Sequence, residues 1–145
     1  MENLPVKTIR QVVTIPAEPI EVYHAYLDTK KAEDFTGQKA TGNPRVGEKM
    51  TQGDGYITGK YLDLVEGKTI VQEWTTTEWP KGYGPSILEL TLKSKGDNET
   101  ELTMVHSKVP ESQVQMYSEG WQEYYWTPLR DYFSEKKDAS RTGKM

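Results

Sequence analysis

The chain has 145 residues, with 18 Lys+Arg against 22 Asp+Glu, a net charge of −4 and no cysteine. A length near the common domain size of ~100–150 residues points to one domain, taken as 1–145 with a core over about residues 6–135. The acidic balance disfavours a nucleic-acid reader, the missing cysteines exclude disulfides, thiolate metal sites and thiol catalysis, and no apolar run approaches the ~18–20 residues of a membrane-inserted span.

Residues 6–15 alternate as a strand, with Ile9, Val13 and Ile15 on the core side. Pro16 ends it, and Pro19 suits the first turn of a helix reaching about Asp28, with Ile20, Tyr23 and Leu27 on one face. Asp28-Thr29 caps a second short helix over residues 30–35, closed by Gly37. Strands follow at residues 48–51, 56–65 and 69–77, separated by turns at Gly53-Asp54-Gly55 and Glu66-Gly67-Lys68.

The segment Trp79 to Pro85 reads as a loop. Residues 86–95 form a strand with Leu88, Leu90 and Leu92 inward, and Gly96-Asp97-Asn98 turns it into residues 99–108, where Leu102, Met104 and His106 share a face. A long helix then runs to about residue 137. Its apolar stripe is Val114, Tyr117, Trp121, Tyr124, Tyr125, Pro128, Leu129, Tyr132 and Phe133, and Pro128 inside it predicts a kink or a lost hydrogen bond near Tyr124. Residues 138–145 are polar and expected to fray. The first residues show no basic stretch leading into an apolar one, so no secretory leader is read and a cytoplasmic location is expected.

Six antiparallel strands present one apolar face, and the long helix is the element large enough to cover it. Gly55, Gly59 and bulges allow the sheet to curve around that helix and leave space between them. A dry space of ~300 Å³ would cost about 7 kcal/mol at ~24 cal/mol per Å³, so the space is small or is occupied.

The order of these elements resembles the α+β helix-grip fold of START-like (birch-pollen-allergen and polyketide-cyclase) proteins. Particular segments resemble one branch. They are Ile15-Pro16-Ala17, Val22 through Asp28, Phe35-Thr36-Gly37 and Gly55 through Gly59. Farther along the chain are Ile70 through Trp74, Trp79-Pro80, His106 with Val109-Pro110, and Gly120-Trp121. This pattern is similar to single-domain proteins related to the C-terminal domain of the activator of heat-shock-protein-90 ATPase. Gly47-Glu48 and Met50 stand where the family commonly has Gly-Gly and an aromatic. The resemblance implies a curved sheet of about six strands around the C-terminal helix, two short helices after the first strand, and no cofactor. A chaperone is implied as an alternative partner, since a domain relationship is not an activity.

The expected function is binding of a small apolar or amphipathic molecule between sheet and helix. Trp74, Trp79, Leu88, Leu90, Met104, His106, Tyr117, Trp121 and Tyr124 are the expected lining, with Phe35 and the Trp79 loop at the mouth. Aromatic side chains with polar tips suit such a site, and equally suit simple core filling. His106 reads either as a ligand donor or acid–base group, or as a buried histidine bonded to a neighbour. A cyclase- or hydratase-type enzyme using His106 with a Tyr hydroxyl is a further alternative, ranked below binding. His24, Glu73, Asp54 and the pair Glu119 and Glu123 read as solvated or structural. Gly42 through Lys49 fails as a P-loop, because Glu48 stands where Lys is needed, and two histidines without cysteine make no structural zinc site.

Overall fold

Alternation between apolar and polar residues builds six antiparallel strands: β1 (Val6–Ile15), β2 (Lys49–Gln52), β3 (Ile57–Val65), β4 (Thr69–Thr76), β5 (Ser86–Gly96) and β6 (Glu99–Pro110). The computed structural model describes residues 4–142, with side-chain surroundings through Lys136. The strands lie in the order β1-β6-β5-β4-β3-β2, so the first strand pairs with the last and the remainder form a meander. Register shifts place an extra residue in β6 between His106 and Val109, opposite Lys7 to Ile9 of β1, in β3 between Tyr61 and Asp63, and in β5 between Ser94 and Gly96. Each extra residue adds local twist, and together they curve the sheet.

Gly59 serves a different need. A methyl group there would lie 1.9 Å from the Glu73 carbonyl oxygen, so β4 can approach β3 this closely only across a glycine. Gly55 lies in the turn before β3, where its φ of 89° serves the turn.

Between β1 and β2 come α1 (Pro19–Leu27) and α2 (Thr29–Thr36). The Glu18 amide donates to the Glu21 carboxylate, which closes the start of α1. Asp28 accepts from the Lys31 amide at 3.1 Å and caps α2, and Gly37 ends it with φ 76°. The buried face of α1 is Val22, Tyr23, Ala25, Tyr26 and Leu27, whereas Ile20 is exposed. Ile20 lies in the first turn of α1, over Gly67 of the turn between β3 and β4.

After a 3-10 turn at Glu111–Gln113 the chain enters one helical rod: α3 (Val114–Trp121), a π-helical turn (Gln122–Trp126) and α4 (Thr127–Thr142). The helix passes the end expected near residue 137, and residues 143–145 lie outside the described ones. The disturbance expected from Pro128 takes the form of the π turn just before it. The Thr127 amide reaches back to the Gln122 carbonyl, five residues away.

A π turn inserts one residue into the helical phase. Tyr117 and Trp121 are buried before it, Tyr125 and Trp126 within it, and Leu129 and Phe133 after it. Trp126 is 0% exposed, whereas Tyr124, expected on the buried stripe, is 55% exposed. The edge strand fastens this turn: Trp126 Nε1 donates to Gln11 Oε1 at 2.9 Å, and Gln11 Nε2 donates to the Ser118 carbonyl at 2.8 Å.

Candidate functional site

The hollow between sheet and rod is filled. Leu88 and Leu90 on β5 and Met104 and His106 on β6 are buried, and none of them lines the open groove beside the rod. This corrects their expected place in a cavity wall. Alternation put them on the concave face, but the π turn adds a second large indole to that face and closes it.

His106 is held by a directed chain. An indole can only donate, so Trp121 Nε1, 3.1 Å from His106 Nδ1, makes Nδ1 the acceptor and leaves the proton on Nε2. Nε2 then donates to Ser86 Oγ at 2.8 Å, and the Ser86 hydroxyl donates to the Trp74 carbonyl at 2.7 Å. The register explains the meeting. Ser86 faces Trp74 across β4 and β5, and Leu88 faces His106 across β5 and β6, so Ser86 and His106 are diagonal neighbours. Burial lowers the His106 pKa to about 3. Both ring nitrogens are engaged and the ring is sealed from solvent, so this arrangement gives it a structural place and no base function.

An open groove of about 370 Å³ lies at one end of the rod. One wall is helical: Met116, Gly120 and Tyr124 form one column, and Tyr117, Trp121 and Tyr125 the next. Gly120 is the notch in that wall, since a methyl group placed there would meet only Tyr124, at 3.9 Å. The other wall is Tyr56 and Ile57 at the start of β3, with Gly53 and Gln38 from two loops and Trp74 on β4. The loops are pinned together by the Asp54 amide on the Lys39 carbonyl at 3.0 Å and the Lys39 amide on Asp54 Oδ1 at 2.7 Å.

Of the expected lining residues, Trp74, Tyr117, Trp121 and Tyr124 meet at this groove, with Tyr124 at its exposed rim. Trp79 does not line it. Its ring stacks on Tyr117 at 6.0 Å and its indole donates to the Gly84 carbonyl, while Tyr83 of the same loop donates to the Pro5 carbonyl. That loop folds against the chain start and leaves the mouth unguarded. Phe35 is also displaced from its expected place, packing edge-on against Tyr125 at 6.2 Å, and Gln38 beyond the Gly37 cap reaches the groove instead.

The lining that sequence reasoning missed has several sources: Tyr125 lay on the predicted helical stripe and Tyr56 and Ile57 in the predicted strand 56–65, yet none was assigned to the site. Met116 and Gly120 carried a signal, a small residue spaced by four between large apolar ones on a helix. Gln38 and Gly53 carried none, because only the loop–loop hydrogen bonds bring them together.

The hydroxyls of three lining tyrosines are hydrogen-bonded. Tyr117 donates to Gln113 Oε1 at 2.8 Å and pairs with Thr76 Oγ1 at 2.6 Å, and Tyr56 donates to the Glu78 carboxylate. Tyr125 donates to Gln52 Oε1 at 2.8 Å. Burial pushes the Tyr56, Tyr117 and Tyr125 hydroxyls up, so they remain protonated donors. Trp74 Nε1 is the one buried side-chain nitrogen or oxygen among the described residues without a hydrogen-bond partner, a state that costs about 1–3 kcal/mol. Glu119 and Glu123 are exposed, and no three His, Asp or Glu side chains among the described residues form a set that could hold a metal ion. No helix among these residues is long and apolar enough to cross a membrane.

Comparison with known proteins places this geometry. Residues 16–134 match the family model described as Activator of Hsp90 ATPase homolog 1-like protein. The human Activator of 90 kDa heat shock protein ATPase homolog 1 is 30% identical over 131 residues, which are 90% of this chain and 38% of that protein. The chain thus spans well under half the length of that relative. Among solved structures, an HSP90 activator from Plasmodium falciparum superposes with a TM-score of 0.73 at 19% identity, covering 81% of this chain and 88% of that one. The Aha1 dimer from Colwellia psychrerythraea gives a TM-score of 0.67 at 19% identity, over 91% of this chain and 94% of that one. The strand order, the helix gripped by the curved sheet and the family match over residues 16–134 agree, and the chain belongs to the Activator of Hsp90 ATPase homolog 1-like family.

Proposed function

We propose that the groove binds a small apolar or amphipathic molecule without chemical change. The observation that carries this reading is the groove itself: about 370 Å³, walled largely by aromatic side chains, with the Tyr117 hydroxyl held by a hydrogen bond. That volume falls in the range of small-molecule sites, ~300–1,000 Å³. Because the groove opens to solvent, the penalty for a dry internal cavity does not apply.

A panel of aromatic and long-chain amphiphiles is expected to raise the thermal midpoint. Occupancy at one hundred times the dissociation constant adds about 2.7 kcal/mol. Gly120→Leu fills the notch and removes a helical glycine, so it is expected to abolish the ligand-induced rise while leaving the unliganded midpoint equal or higher. A panel-wide absence of any rise, or an undiminished rise in the variant, removes the groove from consideration.

The family match favours a second reading, stimulation of a chaperone ATPase, as the name of the human relative states for that protein. It requires an exposed patch, and Met116 and Tyr124 at the groove rim supply exposed apolar surface. In this reading, ATP turnover by purified Hsp90 rises when the chain is added. An unchanged rate removes the reading and leaves the groove untouched.

A further inference from the structure

The four indoles of the chain are not in equivalent states. Trp79 donates to the Gly84 carbonyl, Trp121 to His106 Nδ1 and Trp126 to Gln11 Oε1. Trp74 Nε1 is buried and has no acceptor. Aromatic rings surround it: His106 edge-on at 4.6 Å, Tyr117 edge-on at 4.9 Å and Trp121 tilted at 5.7 Å. None of these rings presents a free lone pair to it. The His106 nitrogens are already committed, and the Tyr117 hydroxyl is tied to Thr76 and Gln113. Trp74 lines the groove, and it also borders a second open pocket shared with Gly59, Glu73 and Thr75.

We propose that the groove selects molecules with a flat apolar body bearing a hydrogen-bond acceptor, a carbonyl oxygen above all, and that Trp74 Nε1, sealed while the groove is empty, is uncovered as the molecule enters and donates to that oxygen. This inference rests on the groove being a binding site. The aromatic walls suit a planar body, because rings contact rings at offset or edge-on geometry. The orphan donor supplies the selectivity. A site with an unpaired buried donor discriminates strongly between a partner that satisfies it and an isostere that leaves it unpaired.

The test uses two probes of one skeleton, fluorene and 9-fluorenone, which differ by the carbonyl oxygen. Each is titrated into the ¹⁵N-tryptophan-labelled protein, whose four indole N–H signals are followed by NMR. The expected result is that fluorenone binds at least tenfold more tightly than fluorene, although it is the less hydrophobic of the two. It should also move the Trp74 indole proton downfield while fluorene does not. Trp74→Phe keeps an aromatic ring and removes the donor, so it should bring the two affinities together. The wild-type comparison stands by itself if that variant does not fold. Equal affinities with an unshifted Trp74 signal overturn the assignment and leave the groove reading intact, including the case in which a bound water already satisfies the indole. Binding of neither probe overturns the assignment, and the groove reading then rests on the amphiphile panel.

Discussion

Trp126→Ala is expected to lower the stability of the fold by about 3–5 kcal/mol, the range for removing a large aromatic from a sealed core, whereas Tyr124→Ala should change it by no more than about 0.5 kcal/mol. The two residues are near neighbours on one helix, and a regular α-helical phase assigns them the opposite fates. Trp126 is fully buried, stacks on Trp121 at 5.2 Å and donates to Gln11. Truncating it opens a cavity under the rod and leaves the Gln11 carbonyl oxygen without its donor. Tyr124 borders the groove and is mostly in solvent. Urea denaturation of the two variants, read at the midpoint with unchanged slope, makes the comparison. Equal losses would show that the π turn does not set the phase of this helix. A loss of several kcal/mol is a large part of the ~5–15 kcal/mol that holds a domain folded, so milder Trp126→Phe provides a readable fallback.

Acid should weaken the fold through His106 well before that ring itself takes up a proton. The unfolded chain protonates this histidine near its ordinary pKa of 6.5, whereas the folded chain resists until about 3, because burial disfavours the charged ring. Above pH 6.5 both states are neutral there and the residue contributes no pH dependence. Between 6.5 and about 3 the unfolded state holds more protons, so stability falls as pH falls, by at most about 1.4 kcal/mol per pH unit. The full span corresponds to roughly 4–5 kcal/mol. The direct check is the His106 ring proton in NMR, expected to stay unshifted from pH 7.5 to 4.5 while the urea midpoint declines. A ring signal that titrates near 6.5 in the folded protein would show that the Trp121–His106–Ser86 chain does not hold the neutral form.

Much of the fold was legible because its signals are local. Leu88, Leu90 and Leu92 alternate without interruption, Asp28 stands where an N-cap must stand, and Gly37 stands where a helix must end. The buried set of β6 followed from the same alternation. The last helix was legible as an element but not in phase. Its warning was present in Pro128, whose missing amide forces the preceding turn to rearrange. Sequence spacing does not say whether the rearrangement is a kink or an inserted residue, and those two choices send Trp126 and Tyr124 to opposite environments.

The site was legible in part for the same reason. Trp74, Tyr117 and Trp121 follow from strand and helix periodicity and do face the groove. Leu88, Leu90, Met104 and His106 follow from the same periodicity and are sealed, because whether a concave face stays open depends on what the opposite element brings to it. Gln38 and Gly53 depend on two loops meeting through the Lys39–Asp54 hydrogen bonds, which no spacing rule anticipates.

The clasp between Gln11 and the π turn sets an order of events during synthesis. β1 is made first, yet its pairing partner ends at Pro110 and the groups that grip Gln11 belong to Ser118 and Trp126. At ~5–20 residues per second, the ribosome needs roughly 5–20 s to deliver that partner after β1 has emerged. Throughout that interval the nascent first strand has neither its ladder nor its latch. Closure of β1 onto β6 is therefore a late, long-range step, and Gln11 is where a stalled or truncated chain leaves the structure unfastened.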